Sequence, residues 1–202
     1  MILSHRYFVL NKPYNMLSQF VGIHETAPML GSLDFDFPEG IHAVGRLDRQ
    51  SEGLLLLTTN KKVTRLLFLG EQPHNRTYLV RVKNVVTPET LERLRTGVPI
   101  IIQGGETYIS TPCDVQLEPE PVDLFPPAVP QNVHYPHSWL RITLTEGRFH
   151  QIRKMVVSAG HRCQRLIRTS IEDITLGDLQ PGCIRELDEQ TFFGLLHIRN
   201  WE

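Results

Sequence analysis

No apolar stretch in the 202-residue chain approaches the roughly 20 residues that a helix needs to cross a bilayer. The opening residues, Met1-Ile2-Leu3-Ser4-His5-Arg6, contain no apolar h-region, so no secretory signal is visible. Cysteine is scarce. Cys113, Cys163 and Cys183 are odd in number and show no C-x-x-C spacing, which favours reduced structural thiols in a cytosolic protein over disulfides or a zinc site. The nine histidines, among them His42, His74, His150 and His161, form no H-E-x-x-H pattern, so no metal is expected. There is no glycine-rich phosphate loop either. Gly104-Gly105 reads as a hairpin turn, and no cofactor is expected. Internal repeats are absent.

Basic residues are missing from one long segment, since no Lys or Arg occurs from Glu106 to Ser138, where there are five acids. The opposite holds from Arg141 to Arg168. Seven basic residues (Arg141, Arg148, Arg153, Lys154, Arg162, Arg165, Arg168) stand there against the single acid Glu146, a local charge of +6 that leaves −7 for the rest. The overall net charge of −1 therefore hides a basic field of the kind that attracts a polyanion. The same residues would also serve as a solvated helix face. A hydrophobic fraction of 41% and a charged fraction of 21% are those of an ordinary globular protein. The length suits one domain or two small ones.

Tyr7-Phe8-Val9-Leu10 reads as a buried strand that breaks at Asn11-Lys12-Pro13, and Leu54 to Leu57 as a second. Asn60 is placed to cap a short helix that runs through Leu69 and stops at Gly70. Thr77 to Lys83 and Trp139 to Thr145 alternate as strands with one wet face. Thr87-Pro88-Glu89 through Thr96-Gly97 carries an N-cap threonine, Pro at the first helical position, early acids, late arginine and a terminal glycine, which together predict a helix. A further helix is expected from about Phe149 to Ala159. The six prolines between Leu117 and Ser138 deny the backbone regular pairing and predict a long loop insertion over about 117–138. Strands and helices intermix without strict βαβ alternation. The expected class is α+β, with a mixed, mostly antiparallel central sheet flanked by helices.

One short segment stands out chemically. Gly45-Arg46-Leu47-Asp48-Arg49-Gln50-Ser51-Glu52-Gly53 puts a carboxylate between two arginines, in a turn closed by glycines, directly ahead of the apolar run Leu54-Leu55-Leu56-Leu57. Nearby positive charge keeps an aspartate ionised. That suits a nucleophile or a base, and on these residues alone it also suits a turn cap salt-bridged to an arginine.

Gly45-Arg46-Leu47-Asp48 with Gly53-Leu54-Leu55-Leu56-Leu57-Thr58 closely resembles the signature of the RsuA-type pseudouridine synthases. Asn11-Lys12-Pro13-Tyr14 is similar to that family's N-terminal Lys-Pro motif, and Thr77-Tyr78-Leu79-Val80 to its second motif. Glu146-Gly147-Arg148-Phe149-His150-Gln151-Ile152-Arg153-Lys154-Met155 is similar to its third, and Gly160-His161 through Arg165-Leu166-Ile167-Arg168 matches the segment that follows. The chain departs from the pattern at Asn75-Arg76, at Glu172-Asp173 and in the proline-rich insertion. Because the motifs begin within the first dozen residues, the small S4-type RNA-binding domain often found ahead of the catalytic one is expected to be absent. The whole of 1–202 is then a single catalytic domain. In this the chain is similar to the RluE branch, which implies large-subunit ribosomal RNA as substrate and partner, a monomer, and no membrane.

The resemblance implies a cleft between two lobes and assigns roles. Asp48 would be the catalytic carboxylate, attacking the sugar C1′, attacking the base, or removing the 2′ proton. Arg153 would hold that carboxylate ionised, or bind a phosphate. Tyr78 would stack on the extruded uracil, although a strand tyrosine is ordinarily packing. Leu166 would pack on the base from the other side, although alone it reads as core. Arg46 would fill the vacated space or contact a phosphate. Arg148, Lys154, Arg162, Arg165 and Arg168 would contact phosphates, and Lys12 would position the turn at Pro13. Two rivals stay open on sequence. One is a catalytically silent RNA-binding or ribosome-assembly factor. The other is a glycosidase pairing Asp48 with a second acid of raised pKa, for which Glu52 and Glu146 are the sequence-adjacent choices.

Overall fold

The computed structural model describes residues 4–22, 27–70, 72–132, 134–199 and 201. Met1-Ile2-Leu3 of the opening segment and Val133 of the proline-rich segment lie outside them. Among the described residues the elements are β1 (Tyr7–Lys12), β2 (His42–Val44), β3 (Glu52–Thr58), α1 (Lys62–Phe68), β4 (Arg76–Lys83), α2 (Pro88–Thr96), β5 (Pro99–Ile101), β6 (Thr107–Ile109), β7 (Asp114–Glu118), β8 (His137–Leu144), α3 (Gln151–Ser158), β9 (Cys163–Ile171), β10 (Ile174–Thr175), β11 (Ile184–Leu187) and α4 (Glu189–Leu195). The class is α+β. The pairings described below are antiparallel, and an isolated parallel bridge joins Leu17 to Met29.

The chain forms two compact units, Met1–His74 with Arg168–Glu202, and Asn75–Ile167. In the first, β1 lies between β3 and β11, with Tyr7 opposite both Thr58 and Leu187, and β2 pairs with β3 through Val44 and Leu56. Every residue of β1 and β3 is buried. An unbroken apolar run such as Leu54 to Leu57 fits a strand covered on both faces, where alternation has no purpose. Each of those leucines contributes about 1.5–3 kcal/mol by leaving water. Tyr7 packs at a tilt against Phe192 and edge-on against Phe193 of α4, with ring centroids 4.6 and 5.4 Å away. Helix α4 is capped by Asp188, which accepts from the Thr191 N–H at 2.8 Å. Asn60 Oδ1 accepts from the Lys62 N–H at 3.0 Å at the head of α1, as the sequence predicts.

In the second unit β8 lies between β4 and β7, with Tyr78 and Val115 both opposite Ile142. Leu91 and Leu94 of α2 and Ile152, Met155 and Val156 of α3 close one core over Val80, Val82, Val115, Leu140 and Ile142. Thr87 caps α2 by accepting from the Thr90 N–H at 3.3 Å. Gly97 ends it at φ 108°, where a Cβ would lie 2.3 Å from the Ser110 carbonyl oxygen, so no other residue fits. Strands β5 and β6 form the hairpin whose turn holds Gly104 and Gly105.

Two expectations change. Strand β1 continues through Asn11 to Lys12, because both remain in register with Leu54 and Gly53. Helix α3 starts at Gln151, not Phe149, because His150 takes a left-handed conformation (φ 56°) that cannot belong to a helix. Regular structure ceases at Glu118 and resumes at His137, as the prolines require. The intervening segment is nevertheless tied down. Phe125 is buried, its carbonyl accepts from Arg165 Nη2 at 3.0 Å, and the Asn132 carbonyl accepts from Arg81 Nη2 at 3.1 Å.

Candidate active site

Asp48 occupies the turn between β2 and β3 and is half-buried. Its carbonyl accepts from the Ser51 N–H at 2.9 Å, which closes the turn. Gly45 enters it at φ 72°, with Phe68 so close that an added Cβ would fall 2.7 Å from the ring. The neighbouring Arg46 and Arg49 are exposed, and donate to Gln19 Oε1 at 3.3 Å and Asn15 Oδ1 at 2.6 Å.

Lys12 brings a buried amine into electrostatic reach of the turn. Its side chain is fully buried and its ammonium donates to the carbonyls of Pro13 at 2.8 Å and Met16 at 2.9 Å. Burial pushes this lysine down to about 7, against the attraction of the Glu52 and Asp48 carboxylates, while the charge of Arg168 adds to the depression. Glu52, only 4% exposed, heads the fully buried strand β3. In this unit, then, Lys12, Asp48, Glu52 and Arg168 form one electrostatic cluster. The sequence reading gave Lys12 as a positioner of the turn at Pro13 and a weaker candidate phosphate contact; its place in register with Gly53 marks the cluster once the β1–β3 pairing is known.

In the second unit, Tyr78 on β4 is half-buried and packs against the core cluster to which Leu166 belongs. Arg153 on α3 places Nη1 3.6 Å from Cys163 Sγ. Arg148 is exposed, its guanidinium 4.4 Å from the centre of the Tyr108 ring, and Lys154 Nζ lies 5.3 Å from that of Phe149. Arg162 is exposed, and Arg141 pairs with Glu118 at 2.8 Å. Arg165 and Arg168 depart from the expected basic face. They are 5% and 3% exposed, and their guanidinium groups donate to the carbonyls of Phe125 and Leu54. Strand β9 turns both side chains inward, whereas the sequence reading placed them as candidate phosphate contacts on a basic face.

Glu146 organises the turn ahead of α3. Its carboxylate accepts from the Tyr108 hydroxyl at 2.7 Å, from the Thr111 N–H at 2.9 Å and from the Gln151 amide. Gln151 Oε1 in turn accepts from the Arg148 N–H at 2.8 Å. Burial pushes the Glu146 carboxyl up, but these hydrogen bonds outweigh it and hold the group below its ordinary range.

The sequence pattern described as RNA pseudouridylate synthase matches residues 6–158, which takes in the Asp48 turn, Tyr78 and Arg153. The chain belongs to the RNA pseudouridylate synthase family. It is 38% identical over 177 residues to ribosomal large subunit pseudouridine synthase E of Xanthomonas campestris, covering 86% of this chain and 91% of that one. The similarity to the protein of the same name from Vibrio parahaemolyticus is 36% over 186 residues, covering 91% and 74%. Among solved structures, a pseudouridylate synthase superposes with a TM-score of 0.74 at 25% identity, covering 95% of this chain and 74% of that one. A pseudouridylate synthase fold of α+β class therefore carries the motifs read from the sequence. Among the described residues no group of three or more His, Cys, Asp or Glu side chains is arranged to hold a metal ion, and no helix is long and apolar enough to cross a membrane.

Proposed function

We propose that this pseudouridylate synthase isomerises a specific uridine of large-subunit ribosomal RNA, with Asp48 as its catalytic carboxylate. Membership of the family makes it an isomerase acting on RNA; the large-subunit target is carried over from the printed names of relatives at 36–38% identity. The observation that supports Asp48 most strongly is its setting. It sits half-buried on a turn fixed to a wholly buried strand, within electrostatic reach of the buried Lys12 amine. A protein that only binds RNA has no use for a carboxylate so placed.

In the reaction the N1–C1′ bond of the uridine breaks, the base turns, C5 bonds to C1′, the C5 proton leaves and N1 takes up a proton. The target nucleotide leaves its stack first, at a cost of a few kcal/mol if paired. Tyr78 is assigned the face of the flipped uracil and Leu166 its opposite side. Arg153 is assigned as the counter-ion of Asp48, and Arg46 the space vacated by the base. Exposed Arg148 and half-exposed Lys154 are assigned to phosphates. The working form is a single catalytic domain, a cytoplasmic monomer. A glycosidase pairing Asp48 with Glu146 is disfavoured, because a general acid needs a raised pKa and Glu146 is held low.

The test is release of tritium from ribosomal RNA labelled at uracil C5, together with pseudouridine mapping in cells that lack the protein. Label released from large-subunit RNA, and one pseudouridine lost from it, is the expected outcome. Binding without release, or release of free uracil, overturns the assignment.

A further inference from the structure

We propose that the ring pair Phe149–His150, with Lys154 over the Phe149 ring, is a stacking platform for an unpaired nucleotide of the RNA. The proposal rests on the reading of the protein as an RNA isomerase and adds to it a binding group outside the set that handles the target uridine.

Phe149 is 66% exposed, at the head of α3. A phenyl ring so open to water has most of its apolar surface available to a partner in the working complex. Tyr135, also exposed, lies in the segment from Glu106 to Ser138 that has no Lys or Arg. Phe149 by contrast sits in the most basic stretch of the chain. Lys154 Nζ is 5.3 Å from its ring centre, and Arg148 precedes it.

The ring is also held still. It stacks on His150 with centroids 3.8 Å apart and planes 19° from parallel. The His150 backbone is set by its left-handed conformation and by the Lys154 N–H, which donates to its carbonyl at 3.0 Å. On the other side, the Gln151 side chain accepts from the Arg148 N–H and donates to Glu146. A fixed aromatic surface loses little freedom on binding.

The surrounding charge selects the occupant. An apolar protein surface laid over Phe149 would desolvate the Lys154 ammonium with no return. A nucleotide covers the ring with its base and offers its phosphate to that ammonium. Glu146, the one acid between Arg141 and Arg168, points its carboxylate at Tyr108, Thr111 and Gln151, so it does not oppose the phosphate from an open position.

The probe is a fluorescein-labelled transcript of large-subunit ribosomal RNA, titrated with the full chain. Phe149→Ala and Phe149→Leu weaken binding roughly tenfold, within the usual strength of base–aromatic stacking, whereas Phe149→Trp binds at least as tightly as the parent. Because the side chain is exposed, thermal unfolding of all three stays within about two degrees of the parent. The phenylalanine variants keep the salt dependence of the parent, and Lys154→Gln lowers its slope by about one. Parent-like binding of Phe149→Ala, or equal binding of the Leu and Trp variants, overturns the platform. If the parent releases tritium while Phe149→Ala binds normally, the platform falls and the isomerase reading stands. If the parent binds without release, the isomerase reading falls and the Leu–Trp comparison still decides the platform. If it binds no RNA, both fall.

Discussion

The hydroxyl of Ser18 brackets the backbone of Leu47. It accepts from the Leu47 N–H at 3.0 Å and donates to the Leu47 carbonyl at 2.8 Å, and both residues are buried. One side chain, 29 residues earlier in the chain, therefore fixes the peptide that leads directly into Asp48.

Ser18→Ala should leave that N–H and carbonyl without a partner in a place water does not reach. A loss of about 1–3 kcal/mol in stability is expected, measured by urea unfolding. Because the same change frees the Asp48 turn, kcat should fall by a larger factor than KM rises. A KM effect alone would show that Ser18 supports the fold without positioning the carboxylate.

Asp48→Asn keeps the shape of the turn and removes its charge. Turnover should fall on the order of 10³-fold or more, the usual scale for losing a group that handles the reacting atoms. RNA affinity should change little. A large loss of affinity with turnover per bound RNA preserved would make Asp48 a binding residue. The variant also removes one of the two carboxylates that favour the Lys12 ammonium, so the lysine should titrate lower still.

How far this site could be read in advance depended on the range of the signal. The Asp48 turn, the run from Leu54 to Leu57 and the capped helix after Thr87 are local, and each appears where its residues predict. Strand β9 was not legible. Arg165 and Arg168 interrupt its apolar pattern, and only the fold shows that both guanidinium groups turn inward onto carbonyls. The same applies to Lys12. In sequence it precedes a proline; its burial beside Glu52 and Asp48 follows from the pairing of β1 with β3. Ser18 gave no signal, because a hydroxyl that satisfies a distant backbone looks like any other serine. Helix α4 and strands β10 and β11 are short and carry little periodicity of their own.

Glu146 offers a test of the turn that carries Arg148 and Phe149. Its three hydrogen bonds outweigh its burial and hold the carboxyl low, so its contribution to stability is present above the ordinary carboxylate range and is lost as pH falls through the lowered value. Glu146→Gln should cost about 1 kcal/mol at neutral pH and flatten the acid limb of the stability curve. The Tyr108 hydroxyl is one partner, so Tyr108→Phe combined with Glu146→Gln should destabilise less than the sum of the two single changes. Strict additivity would show that the pair does not interact.

Lys12 makes the sharpest prediction about pH. Its pKa in the folded chain is lowered to about 7 from an ordinary value of 10.5. Below pH 7 the lysine is charged in both states, and the cost of burying that charge is present in full. As pH rises above 7 the folded chain releases the proton while the unfolded chain keeps it, so the unfolded state binds more protons and stability must increase. The gain continues toward 10.5 and amounts to a few kcal/mol as an order of magnitude. From pH 9 upward an opposing effect enters. The half-buried Cys113 thiol is pushed up to about 11 from 9.0, so there the unfolded state loses a proton first and the rise is offset. The window from pH 7 to 9 therefore isolates the lysine, and urea midpoints for the parent chain should rise across it. Lys12→Met, which keeps the apolar stem and removes the ammonium, should abolish that rise, though it leaves the Pro13 and Met16 carbonyls without their donor and is less stable at pH 9. A parent curve that is flat between pH 7 and 9, or one whose slope survives in Lys12→Met, would remove Lys12 as the titrating group of the Asp48 cluster.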